Sequence, residues 1–424
     1  MTLPIVLASR LLCVATAIGI AVQEAPRAVE RLTDARRGFE SVLVDQRRID
    51  EPLVAPPEDS WSLVEYDAPK GRNAAYLFRG EPSPEPGPAV IWLTGGFPPA
   101  RGGGYVWSPG PPMNDQSASP YREAGITMLF PTVRGTARNP GLQEGLMGEV
   151  DDVLAAARFL CELDGVDPAR VYLGGHSTGA TLALLVAEST DLFRGVFCFG
   201  PVVELADYGE RDWPFDQADP REFRLRSPLH FLDAITSPTW VFEGEDGNSE
   251  DLAKLSAALA NPRVRTLELA RADHFSALTP VNRLLAERIR DHRESEFDLD
   301  LARVTAAYAD FWHAQREARD LERLAELRRA GARWGEPHSL RFEVRSSFPE
   351  RLAALTEGLA PLGFSAGPAR QRAEGEDGPR LRMTLELNAP LEIHAVLDAS
   401  RAVAEAAAEL NVLEEGWTAA PAVR

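Results

Sequence analysis

Between about residue 60 and residue 295, short apolar runs alternate with stretches of helical spacing. The runs Ala75 to Phe78, Val90 to Leu93, Thr127 to Phe130, Val171 to Leu173, Val196 to Phe199, Thr239 to Phe242 and Thr266 to Leu269 read as strands. Helices are predicted around Glu149 to Leu163, Thr178 to Glu188, Glu250 to Leu259 and Val281 to Arg290. Strands alternating with helices predict an α/β domain whose central sheet is mostly parallel and covered on both faces. From Glu296 to Ala330 the chain reads as one charged helix with the apolar stripe Val304, Tyr308, Phe311, Leu321, Leu324 and Leu327, a pattern that suits a packing face.

Past Gly331 the period falls to two. Leu340, Phe342 and Val344 alternate with Arg341, Glu343 and Arg345, and Leu381, Met383 and Leu385 alternate with Arg382 and Thr384, so both runs read as half-buried strands. Helical repeats follow each. With further strands near Phe364 to Ala369 and Gly416 to Ala419, the order is βαββαβ, a small α+β unit of ferredoxin-like type.

Ahead of the α/β region, residues 3–22 form an apolar run broken by Arg10. Its length suits a signal peptide or a membrane anchor, and Ala15-Thr16-Ala17 offers a small-residue cleavage site. Against this, no Lys or Arg precedes the apolar core, and Cys13 lacks a small residue before it. Export or anchoring therefore stands beside a cytoplasmic protein with an apolar start, and any membrane contact would run through residues 3–22. Val29 to Val44 reads as a helix, and Pro52 to Pro57 as a connector. The expected division is an apolar segment over 1–24, a helix and connector over 25–59, the α/β domain over 60–295, a linker helix over 296–330 and the ferredoxin-like domain over 331–420.

A chain of 424 residues is longer than one core usually supports, which agrees with two domains. The net charge of −19 argues against a nucleic-acid groove, since phosphate binding needs clustered Lys and Arg. Cys13, Cys161 and Cys198 imply no disulfide framework, and the histidines form no cluster with metal-ligand spacing. Gly102-Gly103-Gly104 is not followed by Gly-Lys-Ser/Thr, so it is no P-loop. No cofactor is called for.

Candidate chemistry centres on Gly175-His176-Ser177-Thr178-Gly179. In a G-x-S-x-G turn between strand and helix, the serine sits at the tip, and the glycines let backbone and helix approach. The strand ending at Phe242 leads into Glu243-Gly244-Glu245-Asp246-Gly247-Asn248, and the one ending at Leu269 into Arg271-Ala272-Asp273-His274-Phe275. Nucleophile, acid and histidine thus follow one another at strand C-terminal ends, where loops carry chemistry in open α/β sheets. An oxyanion hole would take the N–H of Thr178 and that of Gly96 or Phe97, in the loop Thr94-Gly95-Gly96-Phe97. That glycine turn has a plain packing reading as well.

Val133-Arg134-Gly135, Glu149-Val150-Asp151-Asp152-Val153, Val166-Asp167-Pro168-Ala169-Arg170-Val171, the serine turn, Ser227-Pro228-Leu229 to Pro238-Thr239 and Ala272-Asp273-His274-Phe275 together resemble the prolyl-oligopeptidase and dienelactone-hydrolase branch of the α/β hydrolases. The resemblance implies Ser177 as nucleophile, His274 as general base and then acid, and a carboxylate orienting the histidine. The family pattern after this strand is Gly-x-x-Asp, but Gly247 occupies the third position after Gly244. Asp246, one residue early and in the loop, is the expected acid, with Glu245 and Glu250 as alternatives. Asp273 and His176 read as neighbours of the site, because adjacent residues rarely aim side chains at each other.

The glycine loop resembles the His-Gly-Gly element of esterases with threonine in place of histidine. The stretch before the core strands is too short for the β-propeller that gates prolyl oligopeptidases. Val203 to Arg226, with Tyr208, Trp213, Phe215 and Phe223, reads either as a small cap over the serine or as an anchored loop. Pro337-His338-Ser339-Leu340, Pro361-Leu362-Gly363-Phe364 and Glu415-Gly416-Trp417 resemble the regulator of ribonuclease E activity B family, which implies a protein-interaction domain. The expectation is a serine hydrolase, peptidase or esterase, acting on a small substrate. A non-catalytic hydrolase-fold protein engaging a partner through its C-terminal domain is the rival, favoured by the irregular acid loop.

Overall fold

The computed structural model describes residues 29–294, 296–371, 381–410 and 412–421. The apolar run of residues 3–22 and its readings lie outside them. After a single turn α1 (Leu32–Ala35), the chain forms β1 (Trp61–Ala68), β2 (Gly71–Phe78), β3 (Gly87–Leu93), α2 (Ser119–Glu123), β4 (Thr127–Pro131), α3 (Glu149–Cys161), β5 (Val166–His176), α4 (Thr178–Ala187) and β6 (Val196–Phe199). Then follow α5 (Pro220–Arg224), β7 (Thr239–Asp246), α6 (Ser249–Ala258), β8 (Val264–Asp273) and α7 (Leu278–Asp291). The eight strands form one sheet in the order β1-β2-β4-β3-β5-β6-β7-β8. β1 and β2 pair antiparallel and β2 joins β4 antiparallel; every later pair is parallel. β1 lies outside the apolar runs that read as strands in the sequence.

Each face of the sheet has its own apolar layer. One is built from α3, α4 and residues such as Ile91, Leu173 and Val241; the other from α2, α7 and Trp92, Phe197 and Trp240. α4 is wholly buried, and apart from the threonines of its first turns it is apolar, as a helix in the middle of a covered sheet must be. Crossing parallel strands in this order brings the C-terminal ends of β3, β5, β6, β7 and β8 side by side, which is where a site can be assembled.

The helix expected over Val29 to Val44 is not formed beyond Ala35. Gly38 turns the chain with φ 73°, and tertiary bonds take the backbone thereafter: Val42 N–H donates to Glu222 at 2.9 Å, Val44 N–H to Pro214 O at 2.8 Å, and Leu43 bridges Phe215. Arg36 donates to the carbonyls of Leu146, Met147 and Leu225. This N-terminal arm lies over α3 and the 203–226 segment.

α8 (Leu301–Arg329) joins two cores. Val304 and Tyr308 pack with α7 in the first domain, and Leu324 packs in the second. The second domain runs β9 (Pro337–Ser346), α9 (Pro349–Leu359), β10 (Ser365–Ala366), β11 (Arg370–Gln371), β12 (Leu381–Pro390), α10 (Ile393–Glu409) and β13 (Leu413–Pro421). Its antiparallel sheet has the order β10-β12-β9-β13, the ferredoxin-like arrangement, with the second strand reduced to two short pieces. Arg316 of α8 is nearly buried and donates to Ser400 and to Glu414, and Asp320 accepts from Ser400 and from Trp417 Nε1 at 2.7 Å. The second half of α8 is thereby bonded into the small domain.

Candidate active site

Ser177 caps α4 with φ 56° and ψ −124°, a backbone region that costs a non-glycine residue of order 1–3 kcal/mol. Its N–H donates to Phe199 O at 2.7 Å, and its carbonyl accepts from the amides of Ala180 and Thr181. The glycines of the motif are steric requirements. A Cβ on Gly175 would lie 2.5 Å from Gly179 O, and one on Gly179 would run into Leu93 O and lie 2.8 Å from Thr94 O.

His274 opens the turn after β8. Asp273 shapes that turn: its Oδ1 accepts the amides of Phe275 at 2.9 Å and Ser276 at 2.8 Å, while its N–H donates to Ser276 Oγ at 3.1 Å. The Asp273 carboxylate is thus a loop-bonding group. His176, the residue before the serine, is 1% exposed, and its Nε2 lies 3.0 Å from the His274 carbonyl oxygen. A carbonyl only accepts, so this nitrogen carries the proton. Burial, with His274 beside it, pushes the His176 pKa down to about 3. At ordinary pH the ring is neutral, and its second nitrogen is enclosed with no hydrogen-bond partner among the described residues.

The carboxylate at His274 is Glu243. Its Oε2 lies 3.0 Å from His274 Nδ1 and accepts Asn248 N–H at 2.9 Å, while Oε1 accepts Gly244 N–H at 2.7 Å. Glu243 is 2% exposed. A carboxylate only accepts when it carries no proton, so with Glu243 facing Nδ1 the bond is made by an Nδ1–H, and Nε2 is the ring nitrogen left to accept. Two glycines make the room: a Cβ on Gly200 would sit 2.5 Å from His274 Cε1 and 2.7 Å from Glu243 Oε2, and one on Gly247 would sit 2.6 Å from Glu243 Cδ.

Asp246, the acid expected from the sequence, is not at His274. β7 continues through Asp246, whose register partner on β8 is Asp273, and the side chain is exposed. Desolvation, Glu245 and Asp273 raise its pKa. Glu245 accepts the Arg271 amide at 3.1 Å and Glu250 is exposed on α6; among the described residues none of the three bonds His274. The carboxylate at His274 belongs to a longer side chain still on the strand, not to the loop. The glycine at position 247, read as a departure from pattern, was the available signal.

Thr178 is the first residue of α4, so its N–H has no intrahelical acceptor. Its hydroxyl donates to Gly96 O at 2.6 Å and ties the glycine loop to the helix start. Gly96 has φ 96°, and the amides of Gly96 and Phe97 have no acceptor among the described residues. The loop also touches the serine: a Cβ on Gly95 would lie 3.0 Å from Ser177 Cβ. One side of the loop borders a cleft of about 390 Å³ lined by Gly95, Phe97, Arg101, Tyr105 and Gln116 among others. On the other side, the Phe97 ring stands 4.9 Å from Tyr208 and 5.6 Å from Trp213, with Arg211 3.8 Å over it. Tyr208 O–H reaches Thr181 Oγ1 at 2.8 Å. The 203–226 segment therefore packs on the glycine loop and the first turn of α4. Among the described residues no group of His, Cys, Asp and Glu is arranged to hold a metal, and no helix is long and apolar enough to cross a membrane.

Residues 113–268 match the family model of the prolyl oligopeptidase family, a span that holds Ser177 and Glu243 and stops before His274. The polyketide transferase claH of Penicillium crustosum is 33% identical over 100 residues, 23% of this chain and 32% of that protein, so the chain spans about a third of the curated relative it matches. Among solved structures, a puromycin hydrolase is 19% identical with a TM-score of 0.45, over 57% of this chain and 40% of its own. The acylaminoacyl peptidase of Pyrococcus horikoshii is 12% identical with a TM-score of 0.44, over 58% and 44%. Strand order, the turn between β5 and α4, and the family match together make the first domain an α/β-hydrolase fold.

Proposed function

We propose that the protein is a serine hydrolase that cleaves ester or amide bonds of small substrates through an acyl-enzyme on Ser177. The observation that carries this reading is the pairing of the half-buried His274 with the buried Glu243, on a turn whose His274 carbonyl is bonded by His176, the residue before a serine held at positive φ. In this reading His274 Nε2 accepts the hydroxyl proton as Ser177 Oγ attacks the substrate carbonyl. Glu243 holds the Nδ1 proton and stabilises the imidazolium. Thr178 N–H and an amide of the Gly96–Phe97 loop receive the oxyanion. The proton passes from His274 to the leaving group, and water, deprotonated by the same nitrogen, releases the acid and restores Ser177. This chemistry needs no metal or cofactor.

The rival, a non-catalytic scaffold, drew on the irregular acid loop. With Glu243 as the acid, glycine at 247 is what the site requires, and the irregularity no longer speaks against catalysis. A fluorophosphonate probe with intact-mass detection tests the proposal: one adduct on the wild-type chain, absent from Ser177→Ala. Equal labelling of both proteins refutes the assignment of the nucleophile.

A further inference from the structure

We propose that the substrate carries a carboxylate, held by Arg101 in the cleft beside the glycine loop; this rests on the hydrolase reading above. The cleft shares Gly95, Gly96 and Phe97 with the oxyanion loop, and Gly95 is in contact with Ser177. A group placed in it lies along the loop whose amides are read here as oxyanion donors. Its volume of about 390 Å³ corresponds to roughly a dozen water volumes, enough for a short chain ending in a charged group.

The charge of the cleft is single and of one sign. Its lining contains Arg101, the polar groups of Tyr105, Ser108, Asn114 and Gln116, and no acidic side chain. Among the described residues Arg101 has no ion pair or hydrogen bond of its own, whereas nearby cations are occupied: Arg122 donates to Ser117, and Arg211 lies on Phe97. The acid next to the lining, Asp115, accepts from Gly110, Ser117 and Ser119 and makes no bond to Arg101 among the described residues. A chain of net charge −19 does not attract anions at long range, so the exposed guanidinium of Arg101 in the cleft that borders the glycine loop is the local group that can receive one. Its planar fork matches a carboxylate with two parallel hydrogen bonds.

The test uses two matched ester pairs with the full-length chain. Mono(4-nitrophenyl) glutarate against 4-nitrophenyl hexanoate places the carboxylate in the acyl half; 4-(butyryloxy)benzoate against its methyl ester places it in the alcohol half. After subtraction of spontaneous hydrolysis, the anionic member of one pair is expected to have the higher kcat/KM by about tenfold or more, the size of one charge-assisted hydrogen bond. Arg101→Gln should erase that preference and leave the neutral member within twofold; Arg101→Lys should keep part of it. Absence of preference in both pairs, or equal loss on both members in Arg101→Gln, overturns the proposal. Fluorophosphonate labelling of Ser177 separates the two readings: labelling without anion preference removes the carboxylate and leaves the hydrolase, whereas neither labelling nor turnover removes both.

Discussion

Replacing Glu243 by Gln tests the centre of the proposed mechanism. Three N–H groups converge on the Glu243 carboxylate, from Gly244, Asn248 and His274. A glutamine of the same shape has one oxygen and one NH2, so its nitrogen must face at least one of these donors. If the amide nitrogen faces His274, the ring turns to the tautomer with the proton on Nε2, and the base is lost. Serine hydrolase triads with the acid converted to its amide lose about 10⁴ in kcat for this reason, or roughly 5 kcal/mol of transition-state stabilisation. We expect a fall of 10³ to 10⁴ in kcat/KM on a 4-nitrophenyl ester, with fluorophosphonate labelling slowed in proportion. The fold should survive, since one buried hydrogen bond is worth about 1–3 kcal/mol when a donor is orphaned, and a thermal melt run alongside checks this. Asp246→Asn, by contrast, should change turnover less than twofold. A folded Glu243→Gln protein retaining more than a tenth of wild-type kcat/KM, or an inactive Asp246→Asn protein, refutes the reasoning.

The remaining predictions concern the shell around the pair and the second domain. Gly200→Ala places a methyl 2.5 Å from the His274 ring at a residue with φ 64°; turnover should drop at least tenfold, and a loss confined to stability would contradict the steric account. His176, held near pKa 3 against an ordinary value of 6.5, binds a proton more readily unfolded than folded. Its contribution to stability is therefore full above about pH 6.5 and is lost as pH falls toward 3. Denaturant titrations from pH 6.5 to 4 should show His176→Gln losing stability less steeply than wild type, by up to about 1.4 kcal/mol per pH unit; parallel curves exclude the effect. Arg316→Ala leaves Glu414 without its cation and removes the donor to Ser400, which itself bonds Asp320, and should destabilise the small domain by about 3–5 kcal/mol. Calorimetry should show the loss while kcat/KM on esters stays within twofold.

What the sequence made legible follows how local each constraint is. The serine turn was readable because its glycines are enforced by contacts within five residues and with the neighbouring strand end, and the strands flanking it are continuous apolar runs. The alternation of Leu340, Phe342 and Val344 likewise identifies β9, since a strand with one buried face writes its period directly. The arm over residues 29–57 behaved differently. Its apolar spacing suggests a helix, but its backbone bonds are spent on Pro214 and Glu222, partners far along the chain that no window contains. β1 was missed for a related reason: its outer positions Ser62, Leu63 and Glu65 are exposed or partly exposed edge residues, so its pattern is weaker than that of the interior strands.

The acid shows the same limit at the scale of one side chain. Counting from Gly244 assumes that the strand ends there and that the next carboxylate in the loop turns inward. In the folded chain β7 runs on to Asp246 with an irregularity between Gly244 and Asp246, which sends Asp246 to the surface beside Asp273. Glu243, the residue directly after the β6-paired end of the strand's apolar run at Phe242, is buried, and its extra methylene spans what a loop aspartate would otherwise have to cover. The compensation is visible in residues that lack side chains: glycine at 200 and at 247 on either side of the carboxylate. Gly200 and Gly247 together make room for Glu243, and an aspartate at 247 in this chain would clash with the existing acid instead of replacing it.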